Sequence, residues 1–462
     1  MAQVQSKTAK MHRNEVDMTH GPLVKKIMVF AMTLAFSSML QQFFNAADLA
    51  VVGRYAGSRE MAAVGSNVPV ITLLISLFVG LSVGANVVVA NFIGAGRRDR
   101  ISDAVHTTIF LSMAAGVFLM VLGGAAAKPI LHLMGAPDEV LRLAVIYLRT
   151  YFCAMPAMFV YNWGSALLRA KGDTSRPFYV LAGAGVLNVL LNLFFVIVLH
   201  LHVVGVALAT VISNILSAGM IIRILMNEPD EFRLRRKDLK IHKQILMDIL
   251  RIGLPSGIQG TVFSFSNVVI QSAINSLGPD CIAGMAAAVN FEYLSFFLMN
   301  AFTQTCVTFT SQNFGARDAA RCKRVWRLCM LLGTGLDLLF VFVVVLFRNR
   351  LISIFTTEPE VIRFAMVRVK YAFSIHFLCA TYEITAGSLR GMNHPVVPTA
   401  ITLSGTFVLR LFYVLCIFPH YGTADALIMV YPISWILTTI VMNTVYFIIR
   451  RREFEKMRTA AA

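Results

Sequence analysis

Residues 180–199 read VLAGAGVLNVLLNLFFVIVL, twenty side chains of which none is charged. A helix needs roughly 20 apolar residues to cross the ~30 Å hydrocarbon core of a bilayer, so this stretch predicts a transmembrane helix. Other apolar blocks lie at residues 70–83, 104–122 and 328–347. The chain is therefore predicted to be an integral membrane protein that crosses the bilayer several times.

The composition of the whole chain agrees with this interpretation. Of its 462 residues, 57% are hydrophobic and only 14% are charged, and the mean hydropathy is +0.71. Soluble proteins contain roughly 45–50% apolar and about 25% charged residues. These values exclude a cytosolic enzyme, a disordered chain and a collagen-like repeat.

Charged residues, glycines and prolines divide the chain into twelve apolar segments, which predicts an all-α polytopic fold. The predicted spans are residues 23–50, 61–86, 102–126, 139–161, 177–199, 204–225, 246–275, 283–308, 323–347, 361–384, 396–418 and 424–449. The predicted domains are an N-terminal segment (1–22), an N-lobe (23–225), a charged linker (226–245), a C-lobe (246–449) and a basic tail (450–462).

Lysine and arginine set the predicted orientation. If both termini share one side, that side collects 30 of the 41 basic residues and the other side collects 10. Basic residues concentrate on the cytoplasmic side of membrane proteins, which places both termini in the cytoplasm and the protein in the cell membrane. The same rule accounts for the net charge of +17 without a nucleic-acid partner.

The sequence lacks the usual motifs of a signal peptide, a metal site and an ATP-binding site. The first twenty residues contain no apolar stretch of the kind found in signal peptides, so no cleavable leader is predicted. The seven cysteines lack the spacing of a metal site or of a disulfide framework, so we expect no metal. No P-loop motif for ATP is present, so a transporter of this sequence would depend on an ion gradient or on a partner's ATPase, and no cofactor is expected.

The two halves of the chain resemble each other at a constant separation of 221 residues. The matching positions are Gly94-Ala95 with Gly315-Ala316, Leu168-Arg169 with Leu389-Arg390, Pro177 with Pro398, and Arg142 with Arg363. Six spans per repeat give both repeats the same orientation, so we expect two six-helix bundles related by a pseudo-two-fold axis along the membrane normal. This pattern is typical of alternating-access transporters with a substrate site between the bundles.

Polar residues in the first predicted span follow one face of its helix. Gln41, Asn45 and Asp48 are spaced by four and three residues. Ionisable residues inside a membrane usually mark functional sites, so this stripe predicts a cavity face with Asp48 as its active group. The alternative is that Asp48 is a helix-end residue, since Arg54 lies just beyond it.

The fifth and sixth predicted spans carry uncharged polar residues. Asn188 and Asn192 lie one turn apart on the fifth, and the sixth contains Thr210, Ser213 and Asn214. These side chains either line a site or form hydrogen bonds that hold helices together.

The second half contains more intramembrane charges, namely Glu292, Asp337, Glu383 and Arg410. Arg410 lies midway along its span and must meet an anion or water, with Glu383 and Asp337 as candidate partners. A structural ion pair and a gate are equally compatible with these residues. Gln259, Asn267 and Gln271 form a further polar face on the seventh span.

Several motifs resemble those of multidrug and toxic compound extrusion (MATE) transporters, over residues 18–447. They are THGPLVKKI, NAADLAVVGRYAGSREMAAVGS, GANVVVANFIGAG, ALLRAKGDTSRP, NVLLN and GVALATVIS in the first half, and RIGLPSGIQ, SQNFGARD and SLRGMNHPVVP in the second. Their order and spacing make the resemblance specific.

This resemblance implies a two-lobed antiporter that exports organic cations or other amphipathic compounds in exchange for H⁺ or Na⁺. Asp48 matches the family's coupling aspartate, and Asn188, Asn192 and Thr210 match the polar cluster of its DinF-like branch. The second residue of that asparagine pair is commonly aspartate, and Phe263 stands where NorM-like members have an acid. One carboxylate, sufficient for one proton, therefore remains in the N-lobe.

The alternative function is a flippase for lipid-linked sugars or glycolipids, which resembles MATE transporters in architecture. A flippase needs a strongly basic cleft for a pyrophosphate, whereas Arg410 is the only basic residue that we place at mid-membrane. We therefore expect a monomeric transporter of small amphipathic or cationic substrates rather than an enzyme. The substrate-cleft candidates are Gln41, Asn45, Gln259, Asn267, Glu292, Glu383 and Arg410.

Overall fold

The computed structural model describes residues 15–65, 67–133 and 138–459, and these ranges are helical almost throughout, with no β-strand. Within them, nine helices are long and apolar enough to cross a membrane, and a bent helix pair makes a tenth. A chain in lipid must satisfy its backbone hydrogen bonds internally, and helices do so within each segment. The protein is a multi-pass membrane protein.

The helices, in chain order, are α1 Leu23–Val51, α2 Ser58–Gly65, α3 Val68–Gly94, α4 Arg98–Leu133, α5 Asp138–Phe152, α6 Met155–Lys171, α7 Ser175–Leu193, α8 His202–Met226, α9 Lys243–Asn275, α10 Pro279–Gly315, α11 Ala319–Leu346, α12 Arg348–Ser353, α13 Pro359–Tyr371, α14 Phe377–Gly391, α15 Val396–Thr402, α16 Leu409–Phe412, α17 Phe418–Tyr421, α18 Ala424–Ile428 and α19 Val430–Thr459. Four π-helical turns extend or join them, at Val52–Ala56, Phe194–Val198, Leu403–Val408 and Tyr413–Ile417.

Each predicted span falls on one of these helices or on a consecutive group of them, and the fourth and tenth spans are each divided into two helices. The span predicted at 139–161 divides into α5 and α6, which bend by 47°. Pro156 explains the break, because proline has no N–H for the helix and is tolerated in a helix's first turn. The span at 361–384 divides into α13 and α14 around the short 3₁₀ turn Phe373–Ile375.

The helix boundaries repeat with the same separation of 221 residues as the sequence motifs. Helix α3 ends at Gly94 and α10 ends at Gly315, and α4 begins at Arg98 where α11 begins at Ala319. Helices α7 and α15 begin at Ser175 and Val396. The internal repeat is therefore a repeat of structural elements.

The chain forms two compact units. Among the described residues, unit one contains 15–16 together with Phe36–Leu254, and unit two contains Asp17–Ala35 and residues 255–459. The predicted lobes assign α1 and α9 each to a single lobe, whereas both helices are divided between the units. The predicted lobe limits remain a proposal.

Glycine explains why the first part of α9 belongs to unit one. A Cβ on Gly253 would lie 2.6 Å from the Cα of Leu81, and a Cβ on Gly84 would overlap the carbonyl oxygen of Ile249. Only glycine permits so close an approach of two helix backbones.

Backbone contacts likewise attach the first part of α1 to unit two. Arg321 donates hydrogen bonds to the carbonyl oxygens of Met18, His20 and Gly21, and Phe30 packs edge-on against Phe309 at 5.4 Å. In the same segment, partial burial opposes ionisation of Asp17, but hydrogen bonds from Thr19 and from the His20 backbone, with the nearby Lys26 charge, lower its pKa.

Candidate functional site

Four polar side chains of unit one form a connected chain of hydrogen bonds, which we call the Asp48 cluster: Asp48 on α1, Asn188 and Asn192 on α7, and Ser213 on α8. The amide nitrogen of Asn192 donates to Asp48 Oδ1 and lies 3.4 Å from Asn188 Oδ1. The amide nitrogen of Asn188 lies 3.3 Å from Ser213 Oγ. The structure therefore brings together three of the four residues predicted to couple a cation, and adds Ser213.

Burial and hydrogen bonding leave one acceptor of this cluster unused. Asn192 is fully buried, Asn188 is 7% exposed and Asp48 is half-buried. Asn192 Oδ1 has no hydrogen-bond partner among the described residues. Buried polar groups normally have a partner, so a free amide oxygen beside a carboxylate is suited to receive a proton donor or a cation.

The surroundings of the Asp48 cluster are aromatic and apolar. Tyr147 and Tyr151 on α5 have ring centroids 5.9 Å apart. Beyond Asp48, Val51 and Val52 pack in a buried core that also contains Tyr147. The two tyrosines were missed by sequence reasoning, although their spacing of four residues on an amphipathic helix is a signal that was available.

The other predicted residues of unit one lie outside the cluster. Thr210 Oγ1 donates to the carbonyl of Val206 at 3.1 Å within its own helix, and no hydrogen bond joins it to Asp48 in the described residues. Gln41 and Asn45 are exposed on α1. The roles predicted for these three residues remain proposals.

Unit two holds its acidic residues in separate ion pairs and hydrogen bonds. Glu292 on α10 receives two hydrogen bonds from the guanidinium of Arg368 on α13, at 2.7 and 2.8 Å. Glu383 on α14 accepts from the amide of Gln259 at 3.2 Å and pairs with Arg390 at 3.7 Å. Neither acid contacts Arg410.

A third buried acid lies in a small polar triad. Asp337 on α11 accepts a hydrogen bond from Ser295, whose hydroxyl oxygen also lies 2.8 Å from Nδ1 of His376. The same imidazole nitrogen lies 3.3 Å from Asp337. Asp337 is therefore not a partner of Arg410 either.

The remaining predicted residues of unit two are Asn267, which is exposed on α9, and Arg410, which is 1% exposed and donates from Nε to Ser434 Oγ at 3.1 Å. Sequence reasoning missed Arg368 and His376, although both lie inside the predicted span 361–384. No group of three or more potential metal ligands occurs within the described ranges.

Comparisons with known proteins identify similar chains over nearly the whole length. A family model described as MatE matches residues 33–194 and 255–415. The "Probable multidrug resistance protein YoeA" of Bacillus subtilis is 29% identical over 388 residues, which is 82% of this chain and 83% of that protein. The "Probable multidrug resistance protein NorM" of Thermotoga maritima is 27% identical over 391 residues, 84% of each chain.

Solved structures confirm the predicted all-α fold class. The crystal structure of a mutant MATE protein covers 96% of this chain and 98% of its own, with a TM-score of 0.87 and 23% sequence identity. These matches extend across both sequence repeats.

Proposed function

The chain belongs to the MATE family of transporters, and we propose that it exports small amphipathic or cationic compounds in exchange for an inward-moving cation. Family membership supports export over the lipid-linked sugar flippase that the sequence left as the alternative. We further propose that the protein works by alternating access in the cell membrane, as a monomer.

The observation that carries the coupling proposal is the hydrogen bond between Asp48 and Asn192, with Asn192 Oδ1 left unpartnered. An ionised carboxylate only accepts hydrogen bonds, whereas a protonated carboxyl also donates one. Protonation of Asp48 therefore supplies the donor that Asn192 Oδ1 lacks. We propose H⁺ as the coupling ion, because one carboxylate suffices for one proton; Na⁺ would use the same two oxygen-bearing side chains.

Loading and release of the proton then alter the packing of α1 against α7. When Asp48 loses its proton, the carboxylate again accepts from the Asn192 amide, and the donor to Asn192 Oδ1 is lost. Transport requires that the substrate bind more tightly to one of these two arrangements, since equal affinity for both would couple nothing. The energy is adequate, because one charge crossing 100 mV yields about 2.3 kcal/mol before any pH gradient is added.

The experiment reconstitutes the purified protein in liposomes with an imposed pH or Na⁺ gradient and measures uptake of a fluorescent organic cation. We expect Asp48→Asn to be inserted and folded but unable to build a substrate gradient. Asp337→Asn is the matched control, because Asp337 is a buried acid outside the substrate-cleft candidates that binds Ser295 and His376, and this variant should keep uphill transport.

Uphill transport by Asp48→Asn at the wild-type rate would contradict the proposal. Coupling would then have to depend on Glu292 or Glu383, and loss of uphill transport in Glu292→Gln or Glu383→Gln would identify which one. A dependence on the Na⁺ gradient alone would replace H⁺ by Na⁺ as the coupling ion.

A further inference from the structure

Arg410 of unit two is a buried cation whose hydrogen-bonding capacity is mostly unused. It lies on α16, between the two π-helical turns Leu403–Val408 and Tyr413–Ile417. A guanidinium has five N–H donors, and Nε alone is engaged here, by Ser434. Neither Nη1 nor Nη2 has a hydrogen-bond partner among the described residues.

The acidic residues that could neutralise Arg410 bind other side chains instead. Glu292 binds Arg368, Asp337 binds Ser295 and His376, and Glu383 binds Gln259 and Arg390. No ion pair within the described ranges includes Arg410. Arginine carries a permanent positive charge, and here that charge is buried without a carboxylate partner among the described residues.

A second unpartnered donor lies beside Arg410. The guanidinium carbon is 4.6 Å from the ring centroid of Tyr431 and 5.9 Å from that of Trp435. Trp435 is 4% exposed, and its indole N–H also lacks an acceptor in the part of the chain that the structure describes. Stacking on aromatic rings offsets part of the cost of burying the charge, but it supplies no acceptor for these N–H groups.

The internal repeat shows that this arrangement is specific to unit two. Ser213 and Ser434 are separated by 221 residues, the spacing of the repeat. Ser213 accepts a hydrogen bond from the neutral amide of Asn188, whereas Ser434 accepts one from the guanidinium of Arg410. Ser213 of unit one therefore belongs to a cluster that contains a carboxylate, that of Asp48. The equivalent Ser434 of unit two instead binds a cation, Arg410, that has no ion pair among the described residues.

We propose that Arg410 and Trp435 form a binding site for a compact monovalent anion, either a halide ion or the carboxylate group of a transported compound. The two terminal guanidinium nitrogens can donate parallel hydrogen bonds to the two oxygens of a carboxylate, or both can donate to one halide ion. The indole N–H adds a third donor. A single positive charge matches a single negative one. The site lies wholly in unit two and does not depend on the Asp48 cluster.

The test measures thermal unfolding of the full-length protein in detergent, in sodium chloride, sodium acetate or sodium gluconate at equal ionic strength. Chloride should raise the unfolding midpoint of the wild type by a few degrees relative to the bulky gluconate ion, because a ligand that binds only the folded state stabilises it. Acetate with the same effect would identify a carboxylate site, and acetate without effect would identify a halide site.

Arg410→Gln should abolish the difference between the anions. The matched control is Arg450→Gln, because Arg450 is also stacked on aromatic rings, those of Trp326, Tyr446 and Phe447, and it should retain the difference. If Arg410→Gln does not fold, Arg410→Lys replaces it in the test. Lysine keeps the positive charge but cannot donate from two nitrogens at once, so this variant should need roughly tenfold more chloride for half of the stabilisation. A wild-type midpoint equal in all three salts, or an anion effect unchanged in the Arg410 variants, would overturn the proposal.

Discussion

Asp48 and Arg410 are both membrane-embedded charges, but their surroundings differ. Asp48 is half-buried and accepts its hydrogen bond from the neutral amide of Asn192. Because no cation is paired with Asp48, its protonation would not leave a buried positive charge without a partner. Glu292 is fixed by a bidentate bond to Arg368, and removing one partner of such a buried pair costs several kcal/mol. At the scale of the residue, the proposed coupling acid Asp48 therefore differs from Glu292 in lacking a cationic partner among the described residues.

Asn192→Asp tests the residue on which Asp48 depends. Two adjacent carboxylates hold a shared proton more strongly than one, because their like charges disfavour double ionisation. We expect the optimum of H⁺-driven transport to move to higher pH, or Na⁺ dependence to appear, in reconstituted liposomes. Asn214→Asp is the control, since Asn214 bonds only to the Thr210 carbonyl of its own helix. Unchanged pH and Na⁺ profiles in Asn192→Asp would mean that residue 192 only packs.

At the scale of the element, glycines determine which helices approach closely. Gly84 on α3 and Gly253 on α9 let the two backbones touch, and Gly116 on α4 meets Pro156 at the start of α6 in the same way. The π-helical turns after α1 and α7 begin within four residues of Asp48 and Asn192, and two more flank Arg410. Such turns occur often at functional sites in helical proteins, because the extra residue redirects the side chains beside it.

Gly84→Ala tests the contact between α3 and α9. The added methyl group would overlap the Ile249 carbonyl, so we expect a destabilisation of about 1–3 kcal/mol, seen as a lower unfolding midpoint. Gly124→Ala is the matched control, because a Cβ there meets nothing within 4 Å, and it should leave the midpoint unchanged or raise it through helix propensity. Equal unfolding midpoints for the two variants would contradict this prediction, because they would show that α3 can move away from α9 without loss of stability.

At the scale of the whole molecule, charge asymmetry and the repeat specify how the chain is placed in the bilayer. The basic residues concentrate at the termini, the even-numbered loops and the linker, so these segments are expected in the cytoplasm. The family model matches a stretch of each half, residues 33–194 and 255–415. The predicted orientation in the bilayer therefore depends on the distribution of basic residues along the whole chain and not on any single helix.

Cysteine labelling of intact cells tests that orientation. In a chain whose exposed Cys153 and Cys416 are replaced by serine, a membrane-impermeant maleimide should not reach Arg235→Cys or Arg458→Cys. Tyr421→Cys, between the eleventh and twelfth spans, should be labelled from outside. Labelling of only one of the two cytoplasmic positions would contradict the arrangement of two six-helix repeats.

The sequence by itself determined the fold class, the helical segments, the repeat and the grouping of polar residues on α1 and α7. It could do so because apolar length and helical spacing are local properties, and lipid leaves the backbone no alternative to the helix. Only the tertiary structure decided which charges pair. Glu292 meets Arg368, and Arg410 meets neither Glu292 nor Glu383, because these distances depend on how helices far apart in sequence pack. Glu383 meets Arg390 on its own helix, α14, where Gln259 of α9 bonds to both side chains. The break at α13–α14 and the division of α1 and α9 between two units were likewise set by packing, whereas the break at α5–α6 follows from Pro156.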